Sequence, residues 1–234
     1  MFCGPRQLPP YAAPVSSDLS SVPPALQARS RLTQDRIFAA GTRLLEEGGA
    51  EALTVAAVAA AAGVAVGSVY RRFGDKERLL GVIQARFTEG FSAEFRQRVA
   101  DTGLTPAADP TDVIAAAVTG VAETFRAHAR LLRVFMLLGT QDPAVVKEGS
   151  TASIDGGRIF RDTVMLAAPA LRHHADVEAA IDFAYRLTYA GCAHRVIHGE
   201  HLESARPLSW DALIEHLRVA VTAYLLCPLS GATG

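Results

Sequence analysis

Ser68, Tyr70, Arg71, Arg72 and Lys76 gather hydroxyl and cationic groups near the end of an otherwise apolar stretch, Thr54 to Leu80, TVAAVAAAAGVAVGSVYRRFGDKERLL. A guanidinium fork grips two acceptors at once, on a phosphate or on the edge of a guanine, and a serine hydroxyl pairs with any base. Such a set recognises rather than makes or breaks bonds. The spacing predicts a helix over Val66–Phe73 with Val69 and Phe73 inward, which leaves Gly67, Ser68, Tyr70, Arg71 and Arg72 on its other faces. A helix before it buries Val55, Val58, Ala59 and Ala62, with Thr54 as N-cap and Gly63 as stop; Asp75 caps a third helix from Lys76. Two helices crossing steeply through a tight turn, the second short and cationic, fit a DNA major groove.

His194, His198 and His201 stand at i, i+4, i+7 in HRVIHGEH, with Glu200 and Glu203 close by. Two histidines one helical turn apart can bind a transition metal, yet helix ends favour such groups without any metal, and we expect none. HExxH is missing, as are G-x-S-x-G, a Walker loop, GxGxxG after a strand and paired Glu-x-x-His ligands. An all-helical metal-binding or enzymatic bundle carrying the N-terminal unit is the competing reading. Those absences weigh against it, so no enzyme and no cofactor are expected.

The elements that must position these residues follow from composition. Half of the 234 residues are apolar, only 7 % are aromatic, and alanine is abundant, which favours closely packed helices. The net charge of −1 offers no argument for nucleic acid by itself, although Arg29 to Leu80 holds eight basic against six acidic side chains. Cys3, Cys192 and Cys227 form no CxxC pair; together with the lack of a signal-peptide pattern or an apolar run long enough for a membrane, they point to the cytoplasm. Residues 1–28, rich in Pro and Ser, read as a disordered tail, and the alternative is that Arg29 and Arg31 form a basic arm on DNA. A first helix is predicted from about Ser30 to Glu47, stopped at Gly48-Gly49. After the two-helix unit a long helix runs from Lys76 to about Ala100, followed by a linker over Thr102–Pro110. Further helices are expected near Thr111–Ala127, Ala129–Leu138, Ala144–Ala167, Asp176–His201 and Ser209–Leu226. The fold class is therefore all-α: a three-helix DNA-binding unit at 29–80, an antiparallel helical bundle at 81–227 and a flexible tail at 228–234.

RIFAAGTRLLEEGGAEAL (Arg36 to Leu53), then TVAAVAAAAGVAVGSVYRRF, then a lysine in FGDKERLL, resemble the DNA-binding domain of the TetR family of transcriptional regulators. The resemblance covers about a fifth of the chain without a gap. It implies that Thr54, Gly67, Ser68, Tyr70, Arg72 and Lys76 contact double-stranded DNA. Physical reasons accompany each: Thr54 and Lys76 lie at helix N-termini that attract phosphate, and Gly67 lets the helix approach the groove. Tyr70 offers a hydroxyl to phosphate and a ring to sugar or a thymine methyl. Ala56, Ala57, Ala60 and Ala61 stand where the family is often polar, and Ala65-Val66 replaces its usual polar start of the recognition helix. Readout then rests more on Val66 against a thymine methyl and on Arg71 and Arg72.

The resemblance also implies a homodimer and a C-terminal pocket for a small-molecule effector that releases the protein, usually a repressor, from a palindromic operator. Small residues at Ala179, Ala180, Ala184, Ala190, Gly191 and Ala193, and the stripe Leu213, Leu217, Val221, Leu225, suit either helix pairing between copies or an ordinary core. Candidate pocket residues are Phe91, Phe95, Phe125, Phe135, Met136, Phe160, Met165, Tyr185 and Tyr189.

Overall fold

A computed structural model describes residues 24–201 and 204–228, with side chains from Arg29 onward. The described residues form α1 (Pro24–Ala52), α2 (Val55–Ala62), α3 (Val66–Phe73), α4 (Lys76–Asp101), α5 (Pro110–Ala127), α6 (Ala129–Gly139), α7 (Pro143–Val164), a 3-10 helix (Met165–Leu171), α8 (Val177–His198) and α9 (Trp210–Leu226), with no strand among them. Among them no single helix is long and apolar enough to cross a membrane.

One expected boundary of α1 moves and the other holds. α1 starts at Pro24, several residues before Ser30, so the Pro/Ser tail does not reach residue 28; its remaining part, Cys3 included, lies outside the described residues, as do Glu203 and 229–234 of the C-terminal tail. Proline at the first helical position loses no intrahelical hydrogen bond, which is why Pro24 begins this helix instead of forbidding it. The expected stop at Gly48-Gly49 holds: Gly49 takes φ 65°, ψ −162°, outside helical space, and a separate short helical turn follows it to Ala52.

Polar caps set most of the other helices. The carboxylates of Asp75, Asp109, Asp142 and Asp176 and the hydroxyls of Thr54 and Ser209 each accept a hydrogen bond from a first-turn backbone N–H. Each such cap stabilises its helix by about 1 kcal/mol. Pro169 sits inside the 3-10 helix and ends the α-helical run that was expected to reach Ala167.

Two cores result. Ile37, Leu45, Leu53, Val58, Val69 and Leu79, all fully buried, hold α1–α4 together, and Leu131 and Phe135 of α6 and Val145 of α7 join them. The second core surrounds α5, which buries Val113, Ile114, Ala117, Val118, Val121 and Phe125. Gly120 lets α4 approach α5: a Cβ there would lie 2.7 Å from Phe95 Cε2. The α9 stripe Leu213, Leu217, Val221, Leu225 is buried in this core, so it is intramolecular packing and not a surface for a second copy. Ala180 and Ala184 of α8 are buried there too, whereas Ala179 and Ala190 face solvent.

Candidate nucleic-acid interface and effector cavity

The unit that presents the cationic residues is built around one turn. α2 and α3 are bent by 118° across it, within the range of helix–turn–helix crossings. Gly63 makes the turn possible by adopting φ 62°, ψ 44°, where a side chain is strained, and its N–H closes on Ala59 and Ala60. Arg36 of α1 locks it from behind, Nη2 donating to the Gly63 carbonyl at 3.2 Å. Nothing in the sequence near Arg36 announces this contact, because its partner lies on another element.

α3 has two unlike sides. Val69 and Phe73 are buried, Phe73 meeting Phe38 edge to face at 6.0 Å. Val66, Gly67, Tyr70 and Arg71 face outward, with Val66 43 % and Tyr70 54 % exposed, and Ser68 is half-buried beside them. A Cβ on Gly67 would meet nothing within 4 Å, so no packing inside the chain demands a glycine there. Ala65, at the N-cap of α3, makes no side-chain cap hydrogen bond, which leaves the first-turn amides without side-chain competition. Thr54 Oγ1 accepts from the Ala57 amide at 3.1 Å, and Lys76 opens α4 one residue after the Asp75 cap, whose Oδ1 accepts from the Arg78 amide at 2.8 Å. Ala56, Ala60 and Ala61 point to solvent from α2 and can offer no hydrogen bond.

Arg72 differs from its neighbour. Its Nη2 donates to Ser30 Oγ at 3.1 Å and its Nη1 to the Ser30 carbonyl at 3.4 Å, which ties α3 to the start of α1. The cation expected to read DNA is thereby engaged in a contact between helices.

A cavity of about 490 Å³ lies between α4, α5, α6, α7 and α8. Of the expected pocket residues, Phe91, Phe125, Phe135, Met136, Tyr185 and Tyr189 line it. The other three do not: Phe95 and Phe160 are fully packed in the second core, and Met165 starts the 3-10 helix, 37 % exposed. Gln84, Phe87, Thr88, Val145, Gly149 and Ser153 line it as well and were not singled out; Phe87, repeating in register with Phe91 on α4, was the one signal available. Phe87 stacks on Phe135 at 5.5 Å. The Tyr185 hydroxyl donates to the Ser153 carbonyl at 2.8 Å, and burial pushes its pKa up to about 12. Cys192 is a buried thiol, likewise pushed up to about 12 by burial, and is unsuited to reaction.

The histidine triplet separates. α8 ends at His198 and Gly199 turns away with φ 81°, so His201 leaves the helix face that carries His194 and His198, whose rings lie 4.8 Å apart. Among the described residues no group of three potential ligands could hold a metal ion.

Residues 37–83 match the sequence model described as "Bacterial regulatory proteins, tetR family". No curated protein matches the chain. Several solved structures share the fold. GusR of Salmonella enterica superposes with a TM-score of 0.62 at 21 % identity, over 83 % of this chain and 96 % of that one. A TetR-family transcriptional regulator from Rhodococcus sp., described as putative, gives 0.60 at 15 % identity, over 83 % and 98 %. FadR of Bacillus subtilis, solved with stearoyl-CoA, gives 0.56 at 15 % identity, over 84 % and 99 %.

Proposed function

We propose that this chain is a transcriptional regulator of the TetR family, whose model matches residues 37–83, and works as a cytoplasmic homodimeric repressor that leaves a palindromic operator when a small molecule fills its C-terminal cavity. The observation that carries the reading is the outward stripe of α3, Val66, Gly67, Tyr70 and Arg71, held out by a buried Val69 and Phe73. Arg71 pairs with a base edge, Val66 packs on a thymine methyl, and Ser68 and Tyr70 bond bases or phosphate. Thr54 and Lys76 grip the backbone at helix N-termini.

One such helix reads few base pairs, so two copies are needed about 34–36 Å apart. Phe183 and Leu187 on α8 and Val219 on α9, 50 %, 37 % and 59 % exposed, supply an unpaired apolar face, flanked by the exposed Ala179, Ala190, Ala220 and Ala223. Phe183 meets Tyr224 at 5.1 Å, which makes the face continuous across the two helices. Pairing it with its symmetry mate buries those side chains in a four-helix contact.

Phe135 supports the coupling. It lines the cavity and also belongs to the core of the DNA-binding unit, while α4, with Phe87 and Phe91 on the cavity wall, runs directly into that unit. A ligand preferring a different α4–α6 spacing shifts the population of recognition-helix separations, and a preference of about 2–3 kcal/mol empties most operators. The stearoyl-CoA of the Bacillus neighbour is not carried over as the effector, because identity is 15 %.

Selection of duplexes from a random-sequence pool by the full-length protein tests this function. An enriched inverted repeat is the expected result; a pool without symmetric enrichment would overturn it.

A further inference from the structure

Six aromatic rings line the cavity, and among the described residues no lysine, arginine, histidine, aspartate or glutamate does. The arginines of an adjoining outer groove, which shares Tyr185 and Tyr189 with the cavity, are already paired, Arg158 with Asp155, Arg161 with Asp162 and Glu178, and Arg186 with Asp182. Glu148 accepts from the Thr88 hydroxyl at 2.8 Å and lines a separate surface groove with Arg96. An anion entering the cavity sheds its hydration and meets no counter-charge. A cation likewise sheds its hydration and meets no carboxylate in the lining.

Besides the hydroxyls of Ser150 and Ser153, two larger polar side chains in the wall have capacity to give. Gln84 is 2 % exposed, and its Nε2 donates to the Val145 carbonyl at 2.9 Å, which leaves its amide oxygen as an acceptor. The Tyr189 hydroxyl makes no hydrogen bond to a described residue. We propose that the effector is an uncharged, largely aromatic molecule of about two to three rings, with one donor for Gln84 and one acceptor for Tyr189. This assignment rests on the reading of the chain as a ligand-responsive regulator and narrows it to a chemical class that excludes acyl-CoA thioesters and carboxylates.

A matched pair of probes tests it on the full-length protein without DNA. N-phenyl-1-naphthylamine is neutral and carries an N–H; 1-anilinonaphthalene-8-sulfonate has the same rings with an anionic group. Fluorescence titration should show saturable binding of the neutral probe, tighter by at least about tenfold than the sulfonate. Neither stearoyl-CoA nor N-methylquinolinium, an aromatic cation, should displace it. Gly149 shares the inward face of α7 with the buried Val145 and Gly156, and a Cβ there meets nothing within 4 Å. Gly149→Leu, with its helical circular dichroism retained, should therefore fill the cavity and weaken the neutral probe by at least about tenfold; Gln84→Leu should weaken it severalfold. Equal or tighter binding of the sulfonate, displacement by either charged competitor, or no saturable binding of the neutral probe would overturn the class. Those results leave operator selection untouched, so failure of the ligand class and failure of the regulator reading are told apart.

Discussion

Arg71 and Arg72 are adjacent in sequence and divided by structure. Arg71 stands on the outward stripe of α3, while Arg72 holds Ser30. Arg71→Ala should cost about 1–3 kcal/mol of specific DNA binding and relax preference at one base pair, whereas Lys76→Ala should weaken all sequences alike. Fluorescence anisotropy on specific and random duplexes separates the two; equal losses on both DNAs by both variants would contradict the assignment. Gly63→Ala should lower stability by about 1–2 kcal/mol, read by chemical denaturation, because of its left-handed backbone. The close contact of its added Cβ is with the far end of Arg36, which can swing away, so conformation and not crowding sets that cost. Sequence showed Thr54, Gly63 and Asp75 as caps because capping is local. It did not show that Arg36 and Arg72 act between helices, because their partners lie 27 and 42 residues away.

At the scale of elements, periodicity located the amphipathic helices and caps located most of their ends. It could not show that Phe135, which lines the cavity, also packs in the core of α1–α4. The α9 stripe shows the same limit, since an apolar repeat looks alike whether it faces its own chain or another. Where α5 meets α6, His128 Nε2 lies 2.7 Å from Glu94 Oε2, and Arg98 donates to the other carboxylate oxygen at 2.6 Å. The hydrogen bond from His128 first, with that from Arg98, holds Glu94 below the usual carboxylate range against the opposing effect of partial burial. A depressed carboxylate stabilises the fold above its unfolded pKa and loses that contribution as pH falls through the folded value. Denaturant unfolding should therefore show a stability gap between wild type and Glu94→Gln at about pH 5.5 that shrinks toward about pH 3. A gap that widens on acidification would contradict this.

The described residues form two cores joined by α4, α6 and α7, with the outward stripe of α3 at one end and an exposed apolar face on α8 and α9. The fold and the likeness of residues 37–83 to the tetR family model were legible because the helix–turn–helix unit is fixed by local signals. The operator and effector were not, since Ala56, Ala60 and Ala61 remove polar contacts from α2 and the cavity is assembled from five helices. Phe183→Glu with Val219→Glu should give a monomer in sedimentation and abolish operator binding, because charges on that face repel across a two-fold axis. The most direct measurement is an anisotropy titration of the selected inverted repeat against a shuffled duplex at one fixed salt concentration. We predict two chains per repeat and at least about 10³-fold preference over the shuffled sequence; equal affinity for both duplexes, or one chain per repeat, would contradict the account.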